Sequence, residues 1–259
     1  MNEKWQTFES VASTYDVVRP DYPDAVYDAV EQFADVQTPT ALEVGLGSGQ
    51  ATEKMLARGW TVVGVEPGAE LSALAAERLG SSGLKVVQSS FEDAALKETF
   101  DVVAAATSWH WVDPKVGYEK SANLLGERGV LALWWNAHVT DPENEAWAPI
   151  RAVYESVAPQ LASLARLTPD RPEYDPARET ADSGYFKEVE DRSFWFSVAY
   201  DAEHFVQLTR TYASHRTLDA DTRVVLESSL RDVIVKLPGG VVQKPYEAYV
   251  VLARRGRRR

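Results

Sequence analysis

The most informative part of this 259-residue chain is the stretch Leu42-Glu43-Val44-Gly45-Leu46-Gly47-Ser48-Gly49. It follows an apolar run with strand character and opens a segment with helical character. Glycines at alternate positions let the backbone turn sharply and bring its N–H groups close to a ligand, in front of a helix N-terminus. Such a turn is typical of nucleotide sites, among them the G-x-G-x-x-G dinucleotide fingerprint. Gln50 stands where that fingerprint requires its third glycine, and an acid, Glu43, precedes the turn.

Strand-like and helix-like segments alternate around this turn. The predicted strands are Thr40–Gly45, Thr61–Glu66, Leu84–Gln88, Phe100–Thr107 and Gly129–Trp135, and the predicted helices are Ser48–Arg58, Ala69–Leu79 and Pro114–Leu125. Apolar strands that alternate with helices predict a parallel sheet with helices on both faces. Ligands of such sheets bind beyond the carboxyl ends of the strands. The glycine turn, Glu66, Ser90 and Thr107 all lie at or just after predicted strand ends.

The regions on either side of this core have different patterns. Apolar residues at helical spacing predict a first helix that includes Trp5 and Tyr15, and a second helix after Pro23. After Asn136 we predict a helix over Glu145–Val157, a strand over Val189–Tyr200, helices over Ala202–Tyr212 and Thr222–Val235, and a last strand over Tyr246–Ala253. We therefore divide a single domain into an N-terminal helical cap (1–36), a cofactor-binding core (37–138), a lid-like insertion (139–185), C-terminal strands and helices (186–254) and a basic tail (255–259).

Composition excludes several functions. The net charge of −12 disfavours non-specific binding to nucleic acid, which requires basic side chains on phosphates. Because the chain has no cysteine, it has no thiolate zinc site, no iron–sulfur cluster and no cysteine nucleophile. No apolar run approaches the ~20 residues that span a bilayer, and the first residues lack the layout of a signal peptide. We therefore expect a cytoplasmic protein that does not bind membranes.

Several motifs together resemble the class I S-adenosylmethionine-dependent methyltransferases, especially their small-molecule branch with an N-terminal helical cap. The first is the glycine turn with its preceding acid, and the second is Val63-Gly64-Val65-Glu66-Pro67, in which an acid ends the second strand. The third is Phe100-Asp101-Val102-Val103 followed by Ala106-Thr107-Ser108-Trp109-His110-Trp111. Tyr15 to Pro23 is also similar to a segment found in many members.

The resemblance implies a Rossmann-like α/β fold with a seven-stranded, mostly parallel sheet, and S-adenosylmethionine as cofactor with S-adenosylhomocysteine as product. Gly45 and Gly47 would approach the methionine and ribose moieties, and Glu66 would accept both ribose hydroxyls. Glu43 would bind the ammonium group or order the turn by capping its amides. The other implied cofactor contacts are Tyr15, Arg19, Pro67, Ser90, Phe91, Ala106 and Thr107. Ser90 stands where many members have an acid for the adenine amine.

Methyl transfer from a sulfonium is a direct displacement, in which the protein supplies orientation and excludes water. His110 is the first candidate for a general base, followed by His138. Aromatic residues would form the acceptor pocket together with His138: Trp109, Trp111, Trp134, Trp135, Trp147 and Tyr154. Residues 108–111 lack the Asn/Asp-Pro-Pro-aromatic tetrad of enzymes that methylate adenine or glutamine, which favours a small-molecule acceptor.

Two alternatives remain open at this point. One is a nicotinamide-dependent oxidoreductase, which would use the glycine turn for NAD. The other is a protein that binds S-adenosylmethionine without catalysis, because methyl transfer requires no catalytic residue that could be checked in the sequence. The sequence shows no acidic triad for a metal ion, so we expect no metal. We expect a monomer or a homodimer.

Overall fold

The computed structural model describes residues 19–139, 145–162 and 175–256. The predicted first helix, Tyr15 and the last three arginines lie outside these ranges. The strands are β1 (Thr40–Val44), β2 (Thr61–Glu66), β3 (Lys85–Gln88), β4 (Phe100–Ala106), β5 (Leu125–His138), β6 (Phe186–Asp201) and β7 (Val241–Arg255). The helices are α1 (Asp24–Ala34), α2 (Gln50–Ala57), α3 (Ala69–Leu79), α4 (Pro114–Leu124), α5 (Ala148–Val157), α6 (Pro159–Ala162), α7 (Pro176–Asp182), α8 (Ala202–Arg210), α9 (Ala213–Arg216) and α10 (Ala220–Ile234).

All seven strands form one sheet in the order β3-β2-β1-β4-β5-β7-β6. Strands β1 to β5 pair in parallel, and β7 runs antiparallel to both β5 and β6. The predicted α/β fold with a seven-stranded, mostly parallel sheet is confirmed. Because β1 lies at the centre with chain crossovers to either side, the carboxyl ends of β1 and β4 border the crevice in which such sheets bind ligands.

Helices cover both faces of the sheet. On one face, Val26, Tyr27 and Val30 of α1 belong to a buried cluster with Trp134 of β5. On the other face, Tyr118 of α4 belongs to a second cluster. A third cluster joins α5, α8 and α10 to the start of β7. No helix within the described ranges is long and apolar enough to cross a membrane.

The last three strands are longer than the sequence predicts. The predicted strands Gly129–Trp135, Val189–Tyr200 and Tyr246–Ala253 correspond to β5, β6 and β7, each of which extends past both predicted ends. Polar residues and Pro245 obscure the start of β7. On one side of β7, Pro245 pairs with Ser197 of β6. On the other side, the pairing with β5 ends at His138 with Tyr246, so β7 has a free edge there at Pro245. A proline is tolerated at an edge because no neighbouring strand requires its N–H.

Candidate active site

A cleft of about 890 Å³ opens at the carboxyl ends of β1, β2, β4 and β5. It brings together most of the site residues that the sequence predicts: Arg19, Glu43, Gly45, Gly47, Glu66, Pro67, Ser90, Phe91, Ala106, Thr107, His110, Trp111 and His138. Other lining residues were not predicted as site residues, among them Tyr22, Gln50, Asp93, Asn136 and Tyr246. Tyr22 and Gln50 lie within or beside motifs that gave them no ligand role. Asp93, Asn136 and Tyr246 belong to no motif, so no local pattern marks them.

The glycine turn lies at the floor of the cleft. Gly45, Gly47 and Gly49 have φ angles of 68°, 59° and 91°, a left-handed backbone that side chains other than glycine rarely adopt. A Cβ atom on Gly45 would lie 2.6 Å from the Cβ of Ser108, whereas a Cβ on Gly47 would meet no atom within 4 Å. Gly45 is therefore required both by its backbone angle and by the close approach of Ser108, and Gly47 faces open space.

Glu66 fixes the shape of the turn. Its Oε2 accepts the Gly47 N–H at 2.9 Å, and its Oε1 accepts the Gly68 N–H at 2.8 Å. This buried carboxylate thus ties the glycine turn after β1 to the end of β2. An ionised carboxylate has about four acceptor positions, so these two bonds leave capacity for a ligand hydroxyl. We considered Glu43 as a carboxylate that caps the amides of the turn. For the Gly47 and Gly68 amides, the capping carboxylate is Glu66.

Glu43 is almost completely buried beneath the turn, with 1% of its surface exposed. The Thr52 hydroxyl of α2 donates a hydrogen bond to its Oε2. Burial, with a smaller contribution from the nearby Glu66 charge, raises the pKa of the Glu43 carboxyl to about 8 against the lowering effect of the Thr52 bond. At neutral pH this carboxyl is mostly protonated, and a cation in the cleft would favour its ionised form.

Ser90 and Phe91 line the cleft after β3. The Ser90 hydroxyl donates to Oδ2 of Asp93 at 2.9 Å and accepts the Asp93 N–H at 3.2 Å. Asp93 lines the cleft as well. It places a carboxylate three residues after Ser90, the position at which many members of the family have an acid. Phe91 is buried and packs against Trp109, with ring centroids 6.2 Å apart.

Thr107 ends β4 in a strained conformation. Its φ of 54° lies in the left-handed region, which is unusual for a β-branched residue. The Thr107 N–H donates to the Trp134 carbonyl at 2.8 Å, and the Thr107 and Tyr22 hydroxyls lie 2.8 Å apart. The Ser108 hydroxyl donates to the Val44 carbonyl and so joins β4 to β1. Strain that surrounding bonds maintain is typical of ligand sites.

The segment before α1 forms one wall of the cleft, and hydrogen bonds from the core hold it in place. The Gln50 amide donates to the Arg19 carbonyl at 3.3 Å and to Oδ1 of Asp21 at 2.9 Å. The Asn136 amide donates to the Pro20 carbonyl at 3.0 Å. Gln50, which departs from the dinucleotide fingerprint, thus anchors a wall of the cleft.

Two histidines line the cleft in different environments. His110 lies at the exposed rim with its ring 4.7 Å from that of Trp111, and partial desolvation lowers its pKa, so it is neutral and able to accept a proton. His138 is deeply enclosed, and burial together with the charges of Lys244 and Arg19 holds its pKa well below the ordinary value. Its Nε2 lies 3.0 Å from Nη1 of Arg19.

Four of the tryptophans predicted for the acceptor pocket do not line the cleft. Trp109 is buried against Tyr118, with ring centroids 5.2 Å apart. Trp135 stacks on Tyr249 on the sheet face opposite His138. Trp147 packs in the third cluster. Neighbouring residues of a strand point to opposite faces of the sheet, so the adjacent Trp134 and Trp135 of β5 face opposite ways. The prediction treated both as pocket residues. Trp134 and Tyr154 are absent from the cleft lining too.

Within the described ranges, no three acidic or histidine side chains are arranged to hold a metal ion.

Comparison with known proteins agrees with this geometry. Residues 42–133 match a family described as a methyltransferase domain. A Dictyostelium discoideum protein named as a methyltransferase is 31% identical over 128 residues, which are 49% of this chain and 48% of that protein. The chain thus spans about half the length of the first curated relatives that it matches.

Two solved structures share the fold. A protein of Anaeromyxobacter dehalogenans described as a type II methyltransferase has a TM-score of 0.64 and 22% identity over 91% of this chain and 97% of its own. A phosphoethanolamine N-methyltransferase of Haemonchus contortus, solved with phosphomonomethylethanolamine and S-adenosylhomocysteine, has a TM-score of 0.56 and 12% identity over 98% of this chain and 59% of its own.

The sheet and the glycine-floored cleft define a Rossmann-like methyltransferase fold. The family match over residues 42–133, the curated relatives and the structural neighbours support a class I S-adenosylmethionine-dependent methyltransferase domain in this chain. Of the two chemistries that the glycine turn left open, these matches favour the methyl donor over the dinucleotide.

Proposed function

We propose that this protein transfers a methyl group from S-adenosylmethionine to a small-molecule acceptor. The observation that supports this most strongly is the meeting of the glycine turn with two buried carboxylates, Glu43 and Glu66, in one cleft at the strand ends. These groups suit a ligand that carries a ribose and two positive charges. Gln50, which replaces the third glycine of the dinucleotide fingerprint, disfavours a dinucleotide at this turn.

The residues present fit the cofactor in their chemistry. Glu66, held by the Gly47 and Gly68 amides, would accept the ribose hydroxyls. Glu43 would pair with the ammonium group of the methionine moiety. Phe91 and the Ser90–Asp93 pair would contact adenine, with Asp93 as the acceptor for its amine. On the methionine side, Ala106 and Thr107 would line the cofactor, Arg19 would pair with its carboxylate and Tyr15 would close over it. Pro67 is a further proposed cofactor contact.

When bound, S-adenosylmethionine supplies a methyl group on a positively charged sulfur, which an acceptor atom takes by in-line displacement. The protein orients the two partners and excludes water. Neutral His110 at the rim would remove a proton from an acceptor that is protonated at working pH. Trp111, beside His110, and His138 would contact the acceptor.

Calorimetric titration with S-adenosylhomocysteine tests the binding step. We expect one saturable site, weakened in Glu66→Gln and unchanged in Glu77→Gln, an exposed glutamate of α3 that serves as a matched control. Binding of NAD without binding of S-adenosylhomocysteine would refute the proposal. Incubation with methyl-labelled donor and a fractionated metabolite extract then tests transfer. If the protein binds the donor product but labels no metabolite, the non-catalytic alternative replaces our proposal.

A further inference from the structure

Charge is distributed unevenly along the cleft. Its acidic side chains follow the first three strands: Glu43, Glu66, Glu92 and Asp93. At the opposite end, near β5 and β7, the lining includes Arg19 and His138, and Lys244 lies behind the lining residue Tyr246. The acidic end suits the positive charges of the donor, and Arg19 suits the carboxylate of its methionine moiety. His138 and Lys244 still need an explanation, especially in a chain with a net charge of −12.

Lys244 is the least expected residue at the basic end. It is 4% exposed, and its Nζ lies 4.8 Å from the ring centroid of Tyr246 and 5.6 Å from that of Trp147. No carboxylate in the described part of the chain forms an ion pair with it. Burial of an unpaired ammonium is costly. Desolvation and the Arg19 charge accordingly lower the pKa of Lys244 to about 7.

His138 adds a buried hydrogen-bond donor beside these cations. A guanidinium only donates hydrogen bonds, so Nε2 of His138 accepts from Nη1 of Arg19. The neutral imidazole must then carry its proton on Nδ1. Nδ1 is buried and has no hydrogen-bond partner among the described residues. His138 and Tyr246 are paired across β5 and β7, and Lys244 is two residues before Tyr246, so all three face the same side of the sheet.

We propose that His138 and Lys244, beside Arg19, form a subsite for an anionic group, a carboxylate or a phosphate, of the methyl acceptor. This inference rests on the proposed methyltransferase function and specifies its substrate class. The anion would neutralise the Lys244 ammonium and accept the Nδ1–H of His138. This subsite requires the flexible stem of Lys244 to bring its Nζ around the Tyr246 ring to the anion. The acidic end of the cleft remains available for the donor.

The test compares paired acceptors in a labelled-methyl assay. The acceptors are short mono-, di- and tricarboxylic acids and phosphomonoesters, each paired with its neutral amide, ester or alcohol. We expect acids or phosphomonoesters to exceed their neutral partners in kcat/KM by about tenfold or more, as loss of a charged hydrogen bond implies. Lys244→Met should abolish the preference through KM, and Lys244→Arg should retain part of it. Lys236→Met, an exposed lysine, is the matched control and should change nothing.

A second measurement separates this inference from the proposed function. We expect Lys244→Met to leave the affinity for S-adenosylhomocysteine unchanged, because the donor lies at the acidic end. If that affinity falls as much as acid turnover, the subsite holds the donor's own carboxylate and the inference is wrong. Preference for neutral acceptors, or an unchanged preference in Lys244→Met, also refutes it.

If no acceptor of the panel is labelled, calorimetry of the S-adenosylhomocysteine complex must still detect binding of an acid or phosphomonoester, and failure to bind any overturns the inference. Failure of the wild-type protein to bind S-adenosylhomocysteine refutes the proposed function instead.

Discussion

The protonation of Glu43 predicts that donor binding depends on pH. In the unliganded cleft its pKa is about 8, because the carboxyl is buried and close to the Glu66 charge. An ammonium group at Glu43 would favour the ionised form and return the pKa toward the ordinary range. Binding below about pH 8 therefore requires release of a proton, so affinity falls as the pH falls.

The size of this effect follows from the pKa. With a pKa of about 8, roughly half of the Glu43 carboxyls are ionised at about pH 8 and only about 1% at about pH 6. The association constant for S-adenosylhomocysteine should therefore rise about fifty-fold between these pH values, which is about 2 kcal/mol. The proton count should approach one per ligand at the lower pH.

Calorimetry in two buffers with different ionisation enthalpies measures both the affinity and the proton count. Lys244 has a pKa of about 7 and titrates in the same range, so the wild-type protein alone is not decisive. The variant Glu43→Gln keeps the shape of the side chain but cannot ionise. The pH dependence that wild type shows and Glu43→Gln lacks is the contribution of Glu43. Equal slopes in the two proteins would refute the pairing of Glu43 with the ammonium group.

Three further predictions follow from the cleft. Gly45→Ala should destabilise the fold by about 3 kcal/mol, because of its left-handed backbone and the clash with Ser108, whereas Gly47→Ala should cost only about 1 kcal/mol. Urea unfolding measures the difference, and equal costs would contradict the close approach. Glu66→Gln should weaken S-adenosylhomocysteine binding at least about tenfold, since charge-assisted bonds to the ribose are lost; unchanged affinity in calorimetry would remove Glu66 from the ribose site. Lys244→Met should raise the melting temperature at neutral pH. The Lys244 pKa is about 7 when folded and about 10.4 when unfolded, so wild-type stability should rise with pH between these values by up to about 4 kcal/mol, and the variant should lack this rise. Lower stability of Lys244→Met at neutral pH would mean that the ammonium is structurally paired.

The parallel core could be predicted from sequence because local pattern and global fold agree there. Thr61–Glu66 and Ala69–Leu79 have the predicted bounds, since an apolar strand ends at an acid and a helix with a regular apolar stripe ends at Gly80. The antiparallel strands were less predictable. Lys244 and Pro245 interrupt the apolar pattern of β7, and their places depend on partners far away in the chain.

That the glycine turn, Glu66 and Thr107 lie together in one cleft could be predicted for a similar reason. A glycine turn and an acid at a strand end are local features, and parallel strands bring their carboxyl ends to one edge. The opposite side of the cleft, where we propose that the acceptor binds, is built from distant segments. The contact of Arg19 with His138 joins residues 119 positions apart, and no local motif predicts it. Strand facing also separates Trp135 from the cleft, because Trp135 and His138, three residues apart, lie on opposite faces.

A crystal structure with S-adenosylhomocysteine would test the assignment of the cleft most directly. We predict that the ribose hydroxyls lie on the Glu66 carboxylate, the ammonium group lies at Glu43, and the sulfur faces the part of the cleft between Thr107 and His138. A ligand outside the cleft, or one whose ribose lies away from Glu66, would contradict the assignment.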